Sequence, residues 1–394
     1  MLKIIKTMAL LSVFLALPVL VHAQPVVTGI TGTYLHGTEI SVSGLAFGTK
    51  TTAAPALWED FNDGEYNGQP ITDVLSEWVI GGVGFNTTVA GAAEKALFEN
   101  SVRYGNRGYS VKVRTPDPIT GNGENKNVAC CWPKKWSVGL NGKMYASFKF
   151  RFTGGDTWYN ECPQQFKVMG IGNATDVYLA FTSYPNIPYI YQNTSFNLYS
   201  YHHPDGQTDN VTNPILGHFT GHKYTVYGDT WISVEVEFTL PSAILAQDGS
   251  VKSVAYADGF TDYKTRTGFG IWDETGGDIT NDFDAIWFRN YMPTLAAGCD
   301  TMYTINTDDV YVDVSWSRIL IGNASTFSAC THKELQIPSA WEPYNITATF
   351  NLGTFTSTEG LYLFVVNSDG VASAGFPFSN ATLKRITTSD PLCK

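Results

Sequence analysis

Charge is scarce in this 394-residue chain, and what there is lacks concentration. Asp, Glu, Lys and Arg make up 15% of it, and no stretch gathers Lys and Arg into a basic run. Phosphate backbones are held by clustered cations, so nucleic acid is excluded as a partner. After the N-terminus no apolar stretch approaches the roughly 18 residues of a membrane-spanning helix. The sequence contains no G-x-S-x-G, H-E-x-x-H, Walker loop or dinucleotide fingerprint, which leaves the common nucleophile, zinc-hydrolase and nucleotide chemistries without a motif. Helical periodicity is also rare.

The N-terminus is an address. Lys3 and Lys6 precede an apolar run from Met8 to Val21, and Val-His-Ala ends at Ala23 with small residues where a signal peptidase reads. Residues 1–23 are therefore expected to be a signal peptide, and the mature chain is expected to be secreted or held at the cell surface. Formal charge is −11, or −13 once Lys3 and Lys6 are removed (−11 − 2). That acidity disfavours long-range attraction to an anionic polymer. The six cysteines are Cys130, Cys131, Cys162, Cys299, Cys330 and Cys393, an even number that suits disulfides in an exported chain. Cys130 and Cys131 are adjacent, so at least one is expected to reach Cys162, and Cys299 is expected to pair with Cys330.

Aromatics at 14% and 37 glycines suit pleated surfaces and the turns between them. Short alternating segments recur: YSVKVRT (109–115), KMYASFKFRF (143–152), QQFKVMGI (164–171), WISVEVEF (231–238) and DVYVDVSWSRILIG (309–322) among them. In KMYASFKFRF, Ala146, Phe148, Phe150 and Phe152 share one face and Tyr145, Ser147, Lys149 and Arg151 the other, so the phenylalanine face is expected in the core. The class is all-β, a sandwich or barrel.

The order of GNRGYSVKVR, MYASFKFRF, QFKVMGIG, DTWISVEVEF and DDVYVD resembles the concanavalin A-like lectin/glucanase jelly roll over residues 55–325. The flanks resemble something else. PVVTGITGTYLHGTEISVSGLAFGTK (25–50) resembles the opening of a TIG-type immunoglobulin-like domain, and NITATFNLGTFTSTEGLYLFVVNSDGVASAGFPF (345–378) resembles its close. These resemblances imply a concanavalin A-like jelly-roll sandwich inserted in a small immunoglobulin-like β-sandwich. The implied boundaries are 24–54 and 326–394 for the split domain.

Three chemistries follow from the residues. Glu235 and Glu237 lie on one face of a strand, and a retaining glycosidase needs two carboxyl groups roughly 5–5.5 Å apart. The glucanases that the fold resembles carry three acids in E-x-D-x-E, whereas Ser233 and Thr239 flank this pair. The pair therefore reads as the solvated face of a strand, neutralised by Lys149 and Arg151. A lyase needs cations for the uronate and a base such as Tyr199 or His202. Lys149, Arg151 and Lys167 would be those cations, although Gln165-Phe166-Lys167 departs at the histidine from the Q-x-H of alginate-lyase-like jelly rolls. Hard-oxygen ligands for a structural Ca²⁺ are expected from Asp60 and Asp63 near the start with Asp308 and Asp309 near the end. Sugar recognition fits with no part missing: Trp132, Trp136, Trp158 and Tyr159, beside Gln164, sit in cysteine-bearing loops that would present rigid rings. The expected function is non-catalytic recognition of an extracellular polysaccharide or glycan. Next comes a structural subunit self-assembling through its terminal strands, and third a polysaccharide lyase or glycoside hydrolase.

Overall fold

The computed structural model describes residues 23–62, 64–80, 96–114, 126–130, 135–153, 166–172, 177–185, 194–200, 222–223, 229–243, 246, 248–257, 260–269, 283–291 and 304–378. Strands dominate them, with a single-turn helix at Ile71–Val74. None of the helices among the described residues is long and apolar enough to cross a membrane.

The central part of the chain is a two-sheet antiparallel sandwich. One sheet runs in the order Phe260–Phe269, Gly249–Ala257, Trp231–Thr239, Lys143–Thr153, Thr304–Asp313, Ser110–Arg114 and Leu97–Glu99, with Leu57–Glu59 also pairing to Thr304–Asp313. The other runs His222–Lys223, Thr194–Ser200, Val177–Pro185, Phe166–Gly172, Ala285–Tyr291, Lys126–Cys130 and Trp78–Ile80. The chain passes repeatedly from one sheet to the other, which is the jelly-roll arrangement. Alternation places the core as expected: Ala146, Phe148 and Phe150 join Val234, Val236 and Phe238 inside. Phe238 meets Phe283 at 5.1 Å, and Trp78 stacks on Phe288 at 4.6 Å and 4°.

The two ends of the chain form a third layer. Val26–Gly32 and Glu39–Leu45 join Asn345–Thr349, Lys333–Glu342, Arg318–Gly322, Tyr362–Val366 and Phe376–Pro377 in one seven-stranded sheet. Lys333–Glu342 pairs with Arg318–Gly322 through its first half and with Asn345–Thr349 through its second, with a register shift at Pro338/Ala340. A bulge of this kind increases local twist and bends a strand. The sheet encloses its own core of Ile30, Val42, Ile321, Phe350 and Leu363. Arg318–Gly322 belongs to this flank sheet, although DVYVDVSWSRILIG reads as one continuous strand of the central unit. The segment breaks after Asp313 and resumes at Arg318 on the other body.

The flank sheet covers the outer face of the first sandwich sheet. Tyr145 and Tyr311 from the sandwich pack with Leu320, Leu335 and Val366 from the flank. Trp316 lies in the crossing segment, and its Nε1 donates to the carbonyls of Met144 (3.1 Å) and Phe238 (3.3 Å). Lys143 and Lys252 lie over its ring at 4.5 and 5.2 Å.

Phe288 touches both Trp78 and Phe61 at the end of the sandwich core. Phe288→Ala is expected to lower the unfolding free energy by about 3–5 kcal/mol through lost burial and the cavity left behind, measured by urea unfolding.

Candidate functional site

Glu235 and Glu237 face away from the sandwich core as their alternation requires, but they do not face water. The flank sheet seals them, with Glu235 3% exposed. Their partners are not the ones expected. Lys333 Nζ lies 2.9 Å from Glu235 Oε1, and Arg318 lies 2.8 Å from Glu237 and 3.7 Å from Glu235. Tyr145 donates its hydroxyl to Glu235 at 3.0 Å. Burial alone would raise the Glu235 carboxyl, but Lys333 and then Arg318 outweigh it and hold the group at about 2. A carboxylate fixed so firmly in its ionised form is no general acid. The solvated-face reading is corrected, because a charged sheet face is here an internal ion cluster. The same geometry removes the pair from glycosidase chemistry.

Lys149 and Arg151 are likewise engaged elsewhere. Register sets Lys149 opposite Ser233 and Arg151 opposite Trp231. Lys149 Nζ donates to Ser233 Oγ at 2.9 Å and lies 3.3 Å from Glu334 of the flank. Arg151 pairs with Asp229 at 2.9 Å. Buried against Glu334, Lys149 is withdrawn from the role of an outward cation for a uronate.

Where the flank meets the end of the Trp231 strand, a cavity of about 340 Å³ opens. Trp231, Tyr104, Tyr256, Ser233 and Asp229 line it from the sandwich, and Thr331, His332 and Thr354 from the flank. Trp231 is half-buried and meets the Tyr104 ring edge-on at 5.6 Å. Asp229 holds a left-handed backbone at φ 68°, a conformation uncommon outside glycine. One network ties these walls together. Tyr104 donates its hydroxyl to Glu334 Oε1 at 2.6 Å, the Thr354 backbone N–H donates to the same oxygen at 3.1 Å, and His332 Nε2 lies 2.7 Å from it. Thr354 Oγ1 is 3.0 Å from His332 Nε2. Burial would raise Glu334, but Lys149 and His332 hold its carboxyl at about 2. Burial, reinforced by Glu334, pushes the Tyr104 phenol well above its ordinary 10, so Tyr104 is a donor and not a base.

A turn at residues 104–106 carries Tyr104 into the flank. Gly105 has φ 64°, and a Cβ there would stand 2.7 Å from the Gly353 carbonyl. Arg107 donates to that same carbonyl. The sequence reading overlooked Tyr104, Trp231, His332 and Glu334. Trp231 was legible as the first residue of its strand, whereas His332 and Glu334 acquire meaning only when the flank returns.

Pairing of Leu57–Glu59 with Thr304–Asp313 brings Asp60 toward Asp308 and Asp309. Burial first, then Glu334, pushes the Asp309 carboxyl up to about 7, and Asp60 adds to the rise. Asp308 spends its oxygens on the backbone N–H groups of Tyr104 and Asp309, both at 2.9 Å. No group of three or more His, Cys, Asp or Glu among the described residues is placed to hold a metal. Asp63, the fourth acid of the expected Ca²⁺ set, lies outside the described residues.

Trp136 does not form a platform. It is buried with Val138 in the sandwich core, where its ring contributes packing. Trp132, Trp158, Tyr159, Gln164 and His202 lie outside the described residues, as does the side chain of Tyr199 on the strand Thr194–Ser200. Cys130 is buried and disulfide-bonded. Cys330 is a buried free thiol, which overturns the expected Cys299–Cys330 pair. Its Sγ lies 3.4 Å from the Thr326 carbonyl. Cys131, Cys162, Cys299 and Cys393 lie outside the described residues.

Removing one member of a buried ion cluster strands the others, at roughly 3–5 kcal/mol. Glu235→Gln is expected to lose stability on that scale at pH 7. The Glu235 carboxyl sits at about 2 when folded against an ordinary 4.5. Its contribution is therefore complete above pH 4.5 and is lost as pH falls from 4.5 toward 2. Urea unfolding of both proteins should show their difference shrinking at pH 3.

Neither a protein-family model nor a curated protein matches the chain. Among solved structures, it is similar to an endo-1,3-beta-glucanase from Streptomyces sioyaensis at 12% identity and a TM-score of 0.42, covering 67% of this chain and 97% of that one. A marine PL-14 alginate lyase from Aplysia kurodai gives 9% and 0.39, covering 56% and 87%. Alginate lyase vAL-1 from Chlorella virus gives 10% and 0.37, covering 66% and 99%. Likeness of this degree carries nothing about activity.

Proposed function

We propose that the protein is exported after cleavage at Ala23 and recognises an extracellular glycan without cleaving it. The observation that carries this reading is the cavity at the seam, which combines a half-buried indole with several hydroxyl groups and the carboxylate of Asp229. The buried Tyr256 ring closes the wall behind Trp231, which offers flat apolar surface for the C–H face of a pyranose. Ser233, Thr230, Thr331, Thr354 and Asp229 offer donors and acceptors for its hydroxyls. About 340 Å³ suits a unit of one or two sugar rings better than a long internal segment. The two carboxylates that suggested cleavage stand outside this lining, inside the ion cluster.

The test is a glycan panel on residues 24–394, read both for binding and for released products. Saturable binding without new reducing ends or unsaturated uronide is expected. Trp231→Ala should weaken it at least tenfold, about 1.4 kcal/mol. Product release, or binding unchanged in Trp231→Ala, sinks the reading. A structural-subunit reading draws on the position of Val26–Gly32 and Phe376–Pro377 at the two ends of the flank sheet's strand order. Sizing the purified protein tests it, since a monomer at high concentration leaves it without support.

A further inference from the structure

We propose that Lys50 and Asp313 condense into an intramolecular amide that covalently ties the N-terminal flank to the last strand of the sandwich. Lys50 Nζ lies 2.5 Å from Asp313 Oδ2, and the two side chains are 1% and 2% exposed. Nζ also donates to the Ala53 carbonyl at 2.7 Å, which fixes the amine against the acid. Tyr311 donates its hydroxyl to Asp313 Oδ2 at 2.9 Å and polarises the carboxyl group. The Trp341 ring stands 5.6 Å from Nζ. This is an amine and a carboxyl group at contact distance in an apolar pocket closed to water.

Such a site weakens the preference for the ion pair and brings the neutral pair within reach, because charges are costly to keep out of water. Burial lowers Lys50 and raises Asp313 to about 6, with Lys50 opposing the latter. A proton passes from Nζ to the carboxylate, which leaves a free amine and a carboxylic acid. The nitrogen lone pair then adds to Cγ and forms the N–C bond. One C–O bond breaks, and that oxygen departs as water with one proton from the acid and one from Nζ. The products are an amide and one water molecule, and neither oxidant nor cofactor is needed. Fixed proximity supplies the rate advantage of an intramolecular reaction, and exclusion of water disfavours the reverse.

The other buried lysine–carboxylate contacts lack this balance. Glu235 faces both Lys333 and Arg318, and Glu334 faces Lys149 with His332 beside it. Both stay ionised at about 2, and a carboxylate is a poor acyl acceptor. They serve as internal controls. A bond at Lys50–Asp313 would close a loop of 263 residues (313 − 50). It lies beside both junctions between the flank and the central sandwich.

The experiment is mass spectrometry of the reduced, denatured wild-type protein and its proteolytic peptides. The expected result is a linked pair of the peptides that contain Lys50 and Asp313, about 18 Da lighter than their sum. The link should be absent from Lys50→Arg and Asp313→Ala. Peptides with Lys149, Glu334, Lys333 and Glu235 should be recovered unlinked. Recovery of both peptides unmodified from wild type overturns the proposal and leaves an ion pair. A linked species that survives in Asp313→Ala overturns it as well. Because the decisive reading is on the wild-type chain, poor folding of a variant does not obscure the result.

Discussion

The ion cluster between the flank sheet and the sandwich is the constraint on which the arrangement of the molecule depends. Lys333, Arg318, Glu235 and Glu237 carry two charges of each sign into a space closed to water. Buried pairs repay their desolvation only when geometry is good and the remaining hydrogen bonds are satisfied. Tyr145 supplies one such bond, and its ring also lies 4.2 Å from the Arg318 guanidinium. An apolar seam would tolerate sliding, since apolar contact is non-directional. A charged seam does not, because each carboxylate must meet its cation. The cluster therefore fixes where the flank sits, and the cavity beside it inherits that position.

The cavity draws on the same device. Lys149 and Glu334 continue the line of charges toward the end of the Trp231 strand. From Glu334 the hydrogen bonds fan out to Tyr104, His332 and Thr354, which are cavity walls. Lys149 Nζ lies 5.0 Å over the Tyr104 ring and 5.4 Å over that of Tyr256, an attraction that holds both rings from the sandwich side. The walls are thus anchored from behind before any ligand arrives, and such preorganisation lowers the ordering cost of binding.

Strand alternation made one half of this legible in the sequence. WISVEVEF and KMYASFKFRF told which residues share a face, and the cores of both strands lie where that period puts them. It could not tell what covers the other face. Arg318 and Lys333 arrive from strands roughly 80 to 100 residues downstream, and in SRILIG and HKELQIP they look like ordinary solvated charges. Trp136 shows the same gap for aromatics, because an indole in a loop segment serves a core as readily as a binding face. The meeting of Asp60 with Asp308 was legible because chain order in a jelly roll brings those strands together. The bond that Asp308 accepts from the Tyr104 backbone N–H was not, because it depends on the turn at residues 104–106.

The placement of Lys50 and Asp313 bears on the same seam. Each lies at an exit from one body to the other: Lys50 shortly before the first sandwich strand, Asp313 at the end of the last. Ions can separate transiently when the flank lifts, since each regains water as it leaves. A covalent link there would allow the flank to tilt but not to depart, and it would keep Arg318 and Lys333 at high local concentration over their carboxylates. Recapture would then be faster than loss, and the cavity walls contributed by His332 and Thr354 would return with the cluster. A charged seam and a covalent tether at its exits are complementary solutions to one problem. The first sets the geometry, and the second prevents its irreversible loss.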